Sequence, residues 1–84
     1  MKFGIYAIYD KHTGYLLPSF SQNDNVAIRS FALDVNNMEK TVLNVNPEDF
    51  NLQRIGSYDT DDGSIVSEPA RIIVEAGMVL ERKE

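Results

Sequence analysis

The sequence contains no cysteine and no tryptophan, and His12 is its single histidine. Without cysteine, neither a disulfide nor a thiolate metal site can stabilise the fold. One histidine without cysteine cannot form an ordinary zinc site or a nucleophile–base pair, and we interpret His12 as a solvated turn residue. The sequence also lacks a G-x-S-x-G motif and a phosphate-loop motif. We therefore expect no enzymatic activity, no metal site and no cofactor.

Basic residues are too few to give the chain a positive surface overall. Its 8 Lys and Arg residues are outnumbered by 13 Asp and Glu residues, and the net charge is −5. Broad electrostatic binding of a phosphate backbone depends on clustered Lys and Arg, and here only Arg82 and Lys83 are adjacent. The composition argues against general nucleic-acid binding, although it is compatible with a local basic patch.

Long apolar runs are also absent. No segment approaches the ~20 apolar residues that a membrane-spanning helix requires, and the N-terminus has no apolar core of signal-peptide length. We therefore expect a cytosolic protein with no membrane partner. With 84 residues, the chain is expected to form one domain over residues 1–84, with a frayed charged tail at residues 81–84.

Residues 21–37 are predicted to form the only long helix. Ser21 followed by Asp24 has the form of a capping box, and Asn23 or Asp24 are alternative caps. Apolar side chains recur on one face at the helical period, namely Ala27, Ile28, Phe31, Ala32 and Val35. The asparagines at positions 36 and 37 suit a helix end. This apolar face requires a sheet to pack against.

The first strand is predicted at Lys2–Asp10. Its alternating residues are apolar on both faces, which indicates a central strand covered on both sides. One face carries Phe3, Ile5, Ala7 and Tyr9, and the other carries Gly4, Tyr6 and Ile8. A turn over residues 10–14, with Gly14 at a positive φ, leads to a returning strand at residues 15–17 that Pro18 ends. Phe20 is expected to act as a hydrophobic staple before the helix.

A second hairpin is predicted after the helix. Residues 50–58 form its first strand, in which Arg54 and Ile55 break the alternation of side chains. A turn over residues 59–63 leads to a returning strand that begins at residues 64–67 and that Pro69 interrupts. Residues 71–75 are predicted to form one more strand. Residues 46–50 indicate a turn capped by Asn46, whereas residues 38–45 fit either a short strand or a loop that fills the core.

The predicted order is hairpin, helix, hairpin and C-terminal extension. This order indicates an α+β fold, with a mostly antiparallel β-sheet built from two hairpins and one helix packed across a face, a ββαββ-like arrangement.

Within the second hairpin, the acidic residues at positions 59, 61 and 62 form a cluster that could indicate a calcium site. Counting an EF-hand loop from Asp59 places Ser64 and Ala70 where Gly and Glu are required. We therefore expect an acidic turn.

The tyrosines allow two interpretations. Half-buried tyrosines are common in small sheets, but tyrosines flanked by cations also provide stacking platforms for unpaired bases. The candidate residues for nucleic-acid stacking are Lys2, Tyr6, Tyr9, Lys11, Tyr15, Arg54, Tyr58 and Arg71.

A separate stripe of Val26 and Leu33, with Arg29 nearby, lies opposite the apolar face of the predicted helix. We interpret this stripe as a candidate interface for a homo-oligomer or a protein partner.

The overall pattern resembles a known family. It combines an opening strand that ends at Asp10, then Gly14, Pro18 and Phe20, then A-I-R-S-F at residues 27–31 and P-E-D-F at residues 47–50. The series is completed by Leu52, Gly56, Tyr58, Asp59, Gly63 and Pro69. In this order the pattern resembles the small non-structural protein of gokushoviruses, which are single-stranded DNA phages of the Microviridae.

The resemblance implies a role in the cytoplasm of the infected bacterium. It implies a non-structural accessory protein that binds single-stranded DNA during genome synthesis or packaging. If the chain binds DNA, we expect the site to be a sheet face with tyrosines and scattered basic residues, including Arg29, Arg54 and Arg71. The alternative is a protein–protein adaptor or regulator that contacts the phage replication or assembly proteins and no DNA. That alternative predicts an interface at Val26, Arg29 and Leu33 or at an exposed sheet edge.

Overall fold

The computed structural model describes residues 1–37 and 42–81 and confirms an α+β fold with a mostly antiparallel sheet. The strands are β1 (Lys2–Asp10), β2 (Gly14–Tyr15), β3 (Ser19–Ser21), β4 (Phe50–Asp59) and β5 (Ile65–Glu75). The α-helices are α1 (Asp24–Val35), α2 (Val42–Val45) and α3 (Ala76–Val79), and a 3-10 turn covers Pro47–Asp49. The sheet order is β2-β1-β4-β5, and β3 also pairs with β1.

β1 is the central strand. On one side it pairs with β4 along its whole length, from Lys2 opposite Asp59 to Asp10 opposite Phe50. Its other edge is shared by β3, which pairs with its first half, and β2, which pairs with its end. The predicted central position is therefore confirmed. Both hairpin turns are also confirmed, with Gly14 at φ 101° and the glycine of the second turn at φ 74°.

The segment after the first turn differs from the prediction. β2 is shorter than expected, and β3 was not predicted at all. Pro18 lies between them and ends the pairing of β2, because proline has no N–H for a sheet ladder. The chain then returns to the same edge of β1, where Phe20 pairs with Ile5. Phe20 is thus a strand residue, and its predicted role as a hydrophobic staple for the helix is wrong.

A β-bulge in β4 explains why its side-chain alternation breaks. The pairing moves from Ile5 opposite Gly56 to Tyr6 opposite Arg54, so that Ile55 is the extra residue. An extra residue moves every later side chain to the other face of the sheet. Phe50 and Leu52 therefore face the helix, whereas Gly56 and Tyr58 face away from it.

β5 is a continuous strand with irregular pairing. Its register against β4 shifts once between Leu52 and Gln53 and again between Arg54 and Gly56. The second shift spans the part of β5 that contains Pro69. The prediction that Pro69 divides two separate strands is therefore wrong. The proline is accommodated because β5 lies at the edge of the sheet, where one side of the strand needs no hydrogen-bond partner.

Helix α1 is shorter than the predicted residues 21–37. Asn23 is the N-cap, and its side chain accepts a hydrogen bond from Val26 N at 2.9 Å. Ser21 belongs to β3, so the capping-box prediction is wrong and the alternative cap at Asn23 is confirmed. At the other end, Asn36 N donates to Ala32 O at 2.9 Å.

The core lies between α1 and one face of the sheet. Its buried residues are Tyr6, Ala27, Phe31, Val35, Phe50, Leu52 and Ala76. α3 packs beside α1, and Val79 and Leu80 contact the core. The side chain of Asn36 connects the two helices, because its Nδ2 donates to Val79 O at 2.8 Å and its Oδ1 accepts from Glu81 N at 2.6 Å. The apolar C-terminal segment therefore completes the core.

The described part of the connection between α1 and β4 contains two short helical turns. Residues 42–45 form the first, so the predicted short strand is absent there, and Leu43 packs against the core. The 3-10 turn begins at Pro47 as predicted, but Asn46 makes no side-chain capping hydrogen bond. Residues 38–41 and 82–84 lie outside the described residues, and so does most of the tail predicted to fray.

Candidate functional site

The two faces of the sheet differ in what covers them. Tyr6 and Ile8 of β1 point to the side on which α1 packs. The alternate residues Ile5 and Ala7 point to the opposite side, yet they are only 6% and 2% exposed. We call this opposite side the helix-free face, since the described helices all pack on the other side. Side chains from neighbouring strands must therefore cover Ile5 and Ala7.

Aromatic side chains provide much of this cover. Phe20 of β3 and Tyr58 of β4 meet edge to face, with ring centroids 5.6 Å apart. Tyr9 and Tyr15 pack with their centroids 4.8 Å apart, at the other end of β1. Both distances lie in the range of favourable aromatic pairs. The helix-free face thus carries two aromatic pairs, one at each end of the central strand.

Two adjoining cavities on the helix-free face share Phe20 and form what we call the apolar groove. Their volumes are about 490 Å³ and 250 Å³. The first is lined by Phe3, Phe20, Tyr58 and Thr60. The second is lined by Ile5, Pro18, Phe20, Ile55, Gly56, Ile65, Val66 and Ser67. None of these lining residues, all from the described part of the chain, is charged.

Large apolar side chains around the apolar groove are exposed. Phe20 is 52% exposed, Ile65 is 65% exposed, and Ile72 further along β5 is 55% exposed. In β5, Ile65 pairs with Tyr58 and Ile72 pairs with Gln53, which places both isoleucines on the helix-free face. Exposed apolar side chains beside an uncharged groove are typical of an interaction site.

The end of the helix-free face near the first turn is polar. Tyr15 Oη donates to Gln53 Oε1 at 2.7 Å, so that the tyrosine side chain crosses over β1. Gln53 Nε2 donates in turn to Asn51 Oδ1 at 3.0 Å. Both amide side chains are buried, and these hydrogen bonds satisfy polar groups that would otherwise be costly to bury. Nearby, Lys11 Nζ lies 3.6 Å from a carboxylate oxygen of Glu75.

On the other side of the sheet, five residues from four elements form a charged network at the start of α1. Tyr6 Oη donates to Asp24 Oδ1 at 2.6 Å, and Arg71 Nη2 donates to Asp24 Oδ2 at 3.1 Å. Arg54 donates to Glu68 Oε1 at 2.9 Å and lies 3.5 Å from Asp24 Oδ1. The guanidinium of Arg54 also lies 5.8 Å from the centre of the Tyr6 ring.

The contacts in this charged network shift the pKa values of its members. Burial raises the pKa of the Tyr6 phenol, and its hydrogen bond to Asp24 raises it further. The hydrogen bond from Tyr6 lowers the pKa of Asp24, and Arg71 and Arg54 add to this effect. The hydrogen bond from Arg54 lowers the pKa of Glu68. Each carboxylate is therefore stabilised in its ionised form.

A polar cavity of about 460 Å³ opens beside this network. Lys2, Asn23, Asp24 and Arg54 contribute to its lining. Asn23 is engaged as the helix cap, while Asp24 and Arg54 are engaged with each other and with the residues described above. The polar groups of this cavity thus serve the start of α1 and the sheet beneath it.

Comparison with protein families places the chain among phage proteins. Residues 3–79 match the family described as Phage ORF5 protein. The chain belongs to this family. The match covers nearly the whole sequence and supports an accessory role in a phage. Searches of curated proteins and of solved structures gave no match.

The structure separates the residues predicted to bind nucleic acid. Tyr9, Tyr15 and Tyr58 lie on the helix-free face, with Tyr58 at the opposite end of β1 from the other two, and Lys11 lies at the polar end of this face. Tyr6 faces the helix and is 0% exposed, so its predicted role as a stacking platform in this phage protein is wrong.

The predicted cations are distributed differently. Arg54 and Arg71 belong to the charged network on the helix-covered side. Lys2 lies on that same side, at the polar cavity. Arg29 is exposed on α1. The predicted aromatic and basic residues therefore do not form one surface.

The stripe on the outer side of α1 is present as predicted. Val26 and Leu33 are both exposed, with Arg29 between them in sequence. Whether this stripe contacts a partner stays a prediction.

The acidic turn and the single histidine have structural roles. Asp59 Oδ1 accepts a hydrogen bond from Asp61 N at 2.9 Å, and Asp62 Oδ1 accepts one from Ser64 N at 2.9 Å. These contacts are those of a turn stabilised by its own carboxylates. His12 is exposed and lies 3.2 Å from Asp49. Among residues 1–37 and 42–81, no group of His, Asp and Glu side chains is arranged to hold a metal ion.

Sequence reasoning missed the main component of the helix-free face, which is aliphatic. Ile65, Ile72 and Leu17 were not among the predicted site residues. The sequence could have identified them, because each is a large apolar residue beside a proline or in an edge strand, where complete burial is not expected.

None of the helices in the described ranges, residues 1–37 and 42–81, has the length and apolar character needed to span a membrane.

Proposed function

We propose that this phage accessory protein acts in the cytoplasm of the infected bacterium by binding another protein chain through its helix-free face. The apolar groove carries the proposal. It is lined by uncharged, mainly apolar side chains and is bordered by exposed isoleucines. Aromatic and aliphatic residues depleted of charge are typical of the centre of a protein–protein interface.

The distribution of charge favours a protein partner over DNA. Binding to a phosphate backbone requires Lys and Arg that can replace its counterions. Arg54 and Arg71 already pair with Asp24 and Glu68, on the side of the sheet away from the groove. Lys11 pairs with Glu75. With a net charge of −5, the chain as a whole repels a polyanion.

Binding of single-stranded DNA is the second candidate, and a specific observation supports it. Three of the tyrosines predicted to stack on bases, Tyr9, Tyr15 and Tyr58, lie on the same face as Phe20. Sheets that bind single strands use aromatic side chains in this way. The resemblance to the gokushovirus non-structural protein points in the same direction, towards genome synthesis or packaging.

Both candidates are tested with the same pair of variants. Ile65→Glu places a charge at the groove, and Met78→Glu is the matched control on α3, where the side chain is also exposed. Each protein is expressed alone and together with individual phage replication and assembly proteins, and is purified after nuclease treatment. We expect a nuclease-resistant complex, with itself or with a phage protein, that Ile65→Glu disrupts and Met78→Glu preserves.

The DNA arm of the test is a salt titration of a fluorescent single-stranded oligonucleotide and of its duplex. We expect no binding to either, even at low salt. Micromolar binding that prefers the single strand, weakens with salt and is lost in Tyr58→Ala would overturn the protein-binding proposal in favour of the second candidate.

A further inference from the structure

We propose that the protein bound at the apolar groove is a second copy of this chain, and that Leu17 of each copy inserts into the groove of the other. This inference rests on the proposed function, because it names the partner of the same face. The relevant residues are Leu17 in the connection between β2 and β3, and the groove beside it.

Leu17 is the most exposed of the large apolar residues in the described chain, at 92%. The next residue, Pro18, forms part of the groove wall. Leu17 therefore lies beside the groove without filling it. In a dimer with two-fold symmetry, a residue that contacts the partner's surface receives the same contact in return. One such pairing covers both exposed leucines and occupies part of both grooves.

The exposed apolar area is sufficient for a dimer. Side chains that are large and about half exposed or more each offer roughly 100 Å² of apolar or aromatic surface. On the helix-free face and in the adjoining connection these are Tyr15, Leu17, Phe20, Ile65 and Ile72. Together they offer roughly 500 Å², which is close to the apolar share of the ~800 Å² that each partner buries in a standard interface.

The absence of charge allows a second copy to approach at this face. A basic or acidic partner would find no opposite charge in the lining of the groove, as described above. Two copies, each with a net charge of −5, repel each other over most of their surfaces. They can approach most closely at a face without charge. This repulsion is screened by salt, so the dimer should strengthen as the salt concentration rises, in contrast to a complex with DNA.

The first experiment measures the mass of the purified chain by sedimentation equilibrium over micromolar concentrations and at two salt concentrations. The expected mass is twice the 9.5 kDa of one chain. We expect Leu17→Ser to weaken the dimer by at least about tenfold, because it removes the inserted apolar side chain. Met78→Ser, which changes an exposed methionine of α3, should leave the dimer unchanged. Both positions are exposed, so the fold should be retained, which far-UV circular dichroism checks.

The second experiment tests the contact itself by disulfide formation, which the absence of native cysteine makes unambiguous. Leu17→Cys and Ser67→Cys are introduced in separate chains, which are mixed and oxidised. Ser67 lines the groove, so a mixed disulfide between the two variants is expected. Met78→Cys mixed with Ser67→Cys is the control, at an exposed position of α3, and should give little of the corresponding product.

The outcomes separate the inference from the proposed function. A monomer at all micromolar concentrations overturns the inference, while a phage protein that binds wild type and not Ile65→Glu would still support the function. A dimer that is insensitive to Leu17→Ser and gives no Leu17–Ser67 disulfide also overturns the inference. A dimer weakened by Leu17→Ser, with the mixed disulfide, supports both.

Discussion

Replacement of Tyr6 by phenylalanine tests the charged network at the start of α1. The side chain is 0% exposed, and its hydroxyl donates a 2.6 Å hydrogen bond to Asp24. The variant keeps the ring in the core and removes only this donor. It therefore isolates one hydrogen bond from the packing of the sheet against the helix.

The size of the effect follows from the partners that remain. A hydrogen bond to a charged group contributes about 1.5–3 kcal/mol to the free energy of unfolding. Asp24 keeps its contacts with Arg71 and Arg54 in the variant. We therefore expect a loss at the lower end of that range, about 1.5–2 kcal/mol at about pH 7. In urea, the unfolding midpoint should fall by roughly 1–2 M.

The effect should depend on pH in a definite direction. The pKa of Asp24 is lower in the folded state than in the unfolded chain. Its contribution to stability is therefore complete above the unfolded pKa and is lost as the pH falls through the folded pKa. The difference between wild type and Tyr6→Phe should shrink over that acidic interval.

The assay is urea unfolding followed by far-UV circular dichroism at several pH values. Tyr9→Phe is the control, since its described contact is the ring of Tyr15, which the variant keeps. That control should stay within about 0.5 kcal/mol of wild type. If Tyr6→Phe matched the control at about pH 7, or if its deficit were the same in acid, the charged network would not stabilise the fold in the way described.

Two further predictions concern the backbone. A Cβ at Gly56 would lie 2.6 Å from the carbonyl oxygen of Val66, so Gly56→Ala should destabilise the protein by about 1–3 kcal/mol. The control Gly77→Ala, with open space around the glycine, should not destabilise it. Thermal unfolding compares the two variants, and equal stabilities would contradict the close approach of the strands. Asn23→Ala removes the cap of α1 and should lower the free energy of unfolding in urea by about 1 kcal/mol. Asn23→Asp should recover most of this loss. If Asn23→Ala did not change the stability, this cap would be unimportant.

The parts of the fold that could be predicted are those coded by local pattern. β1 has the predicted bounds, because aromatic and β-branched residues predominate in it. The turns at Gly14 and Gly63 follow from the need for a positive φ. The helix face follows from the helical period, in which Ala27 and Phe31 are buried as expected.

Other parts depend on pairing between distant segments. A break in alternation at Arg54 and Ile55 was visible, but only the register against β1 shows that it is a bulge. β3 has only three residues, and it follows a proline that normally ends a strand. It forms because the edge of β1 beyond β2 is available for pairing. That availability cannot be predicted from residues 19–21 alone.

The candidate site shows the same limit. Tyrosines near cations in the sequence suggested stacking on DNA, yet the cations Arg54 and Arg71 pair with Asp24, which is 30 and 47 residues away. The alternation of side chains along β1 correctly placed Tyr6 and Tyr9 on opposite faces of the sheet. It could not show which face the helix would cover, because β1 is apolar on both sides. The exposed face was therefore decided by the rest of the fold.

The irregular pairing of β5 has a consequence for the protein at high concentration. A long apolar strand at the edge of a sheet is a template on which further chains can add without limit, leading to fibres. Here the strand contains Pro69 and two register shifts, so its free edge does not present a regular row of donors and acceptors. Additional chains cannot extend the sheet in register. The protein can thus keep an apolar surface without forming fibres along this edge.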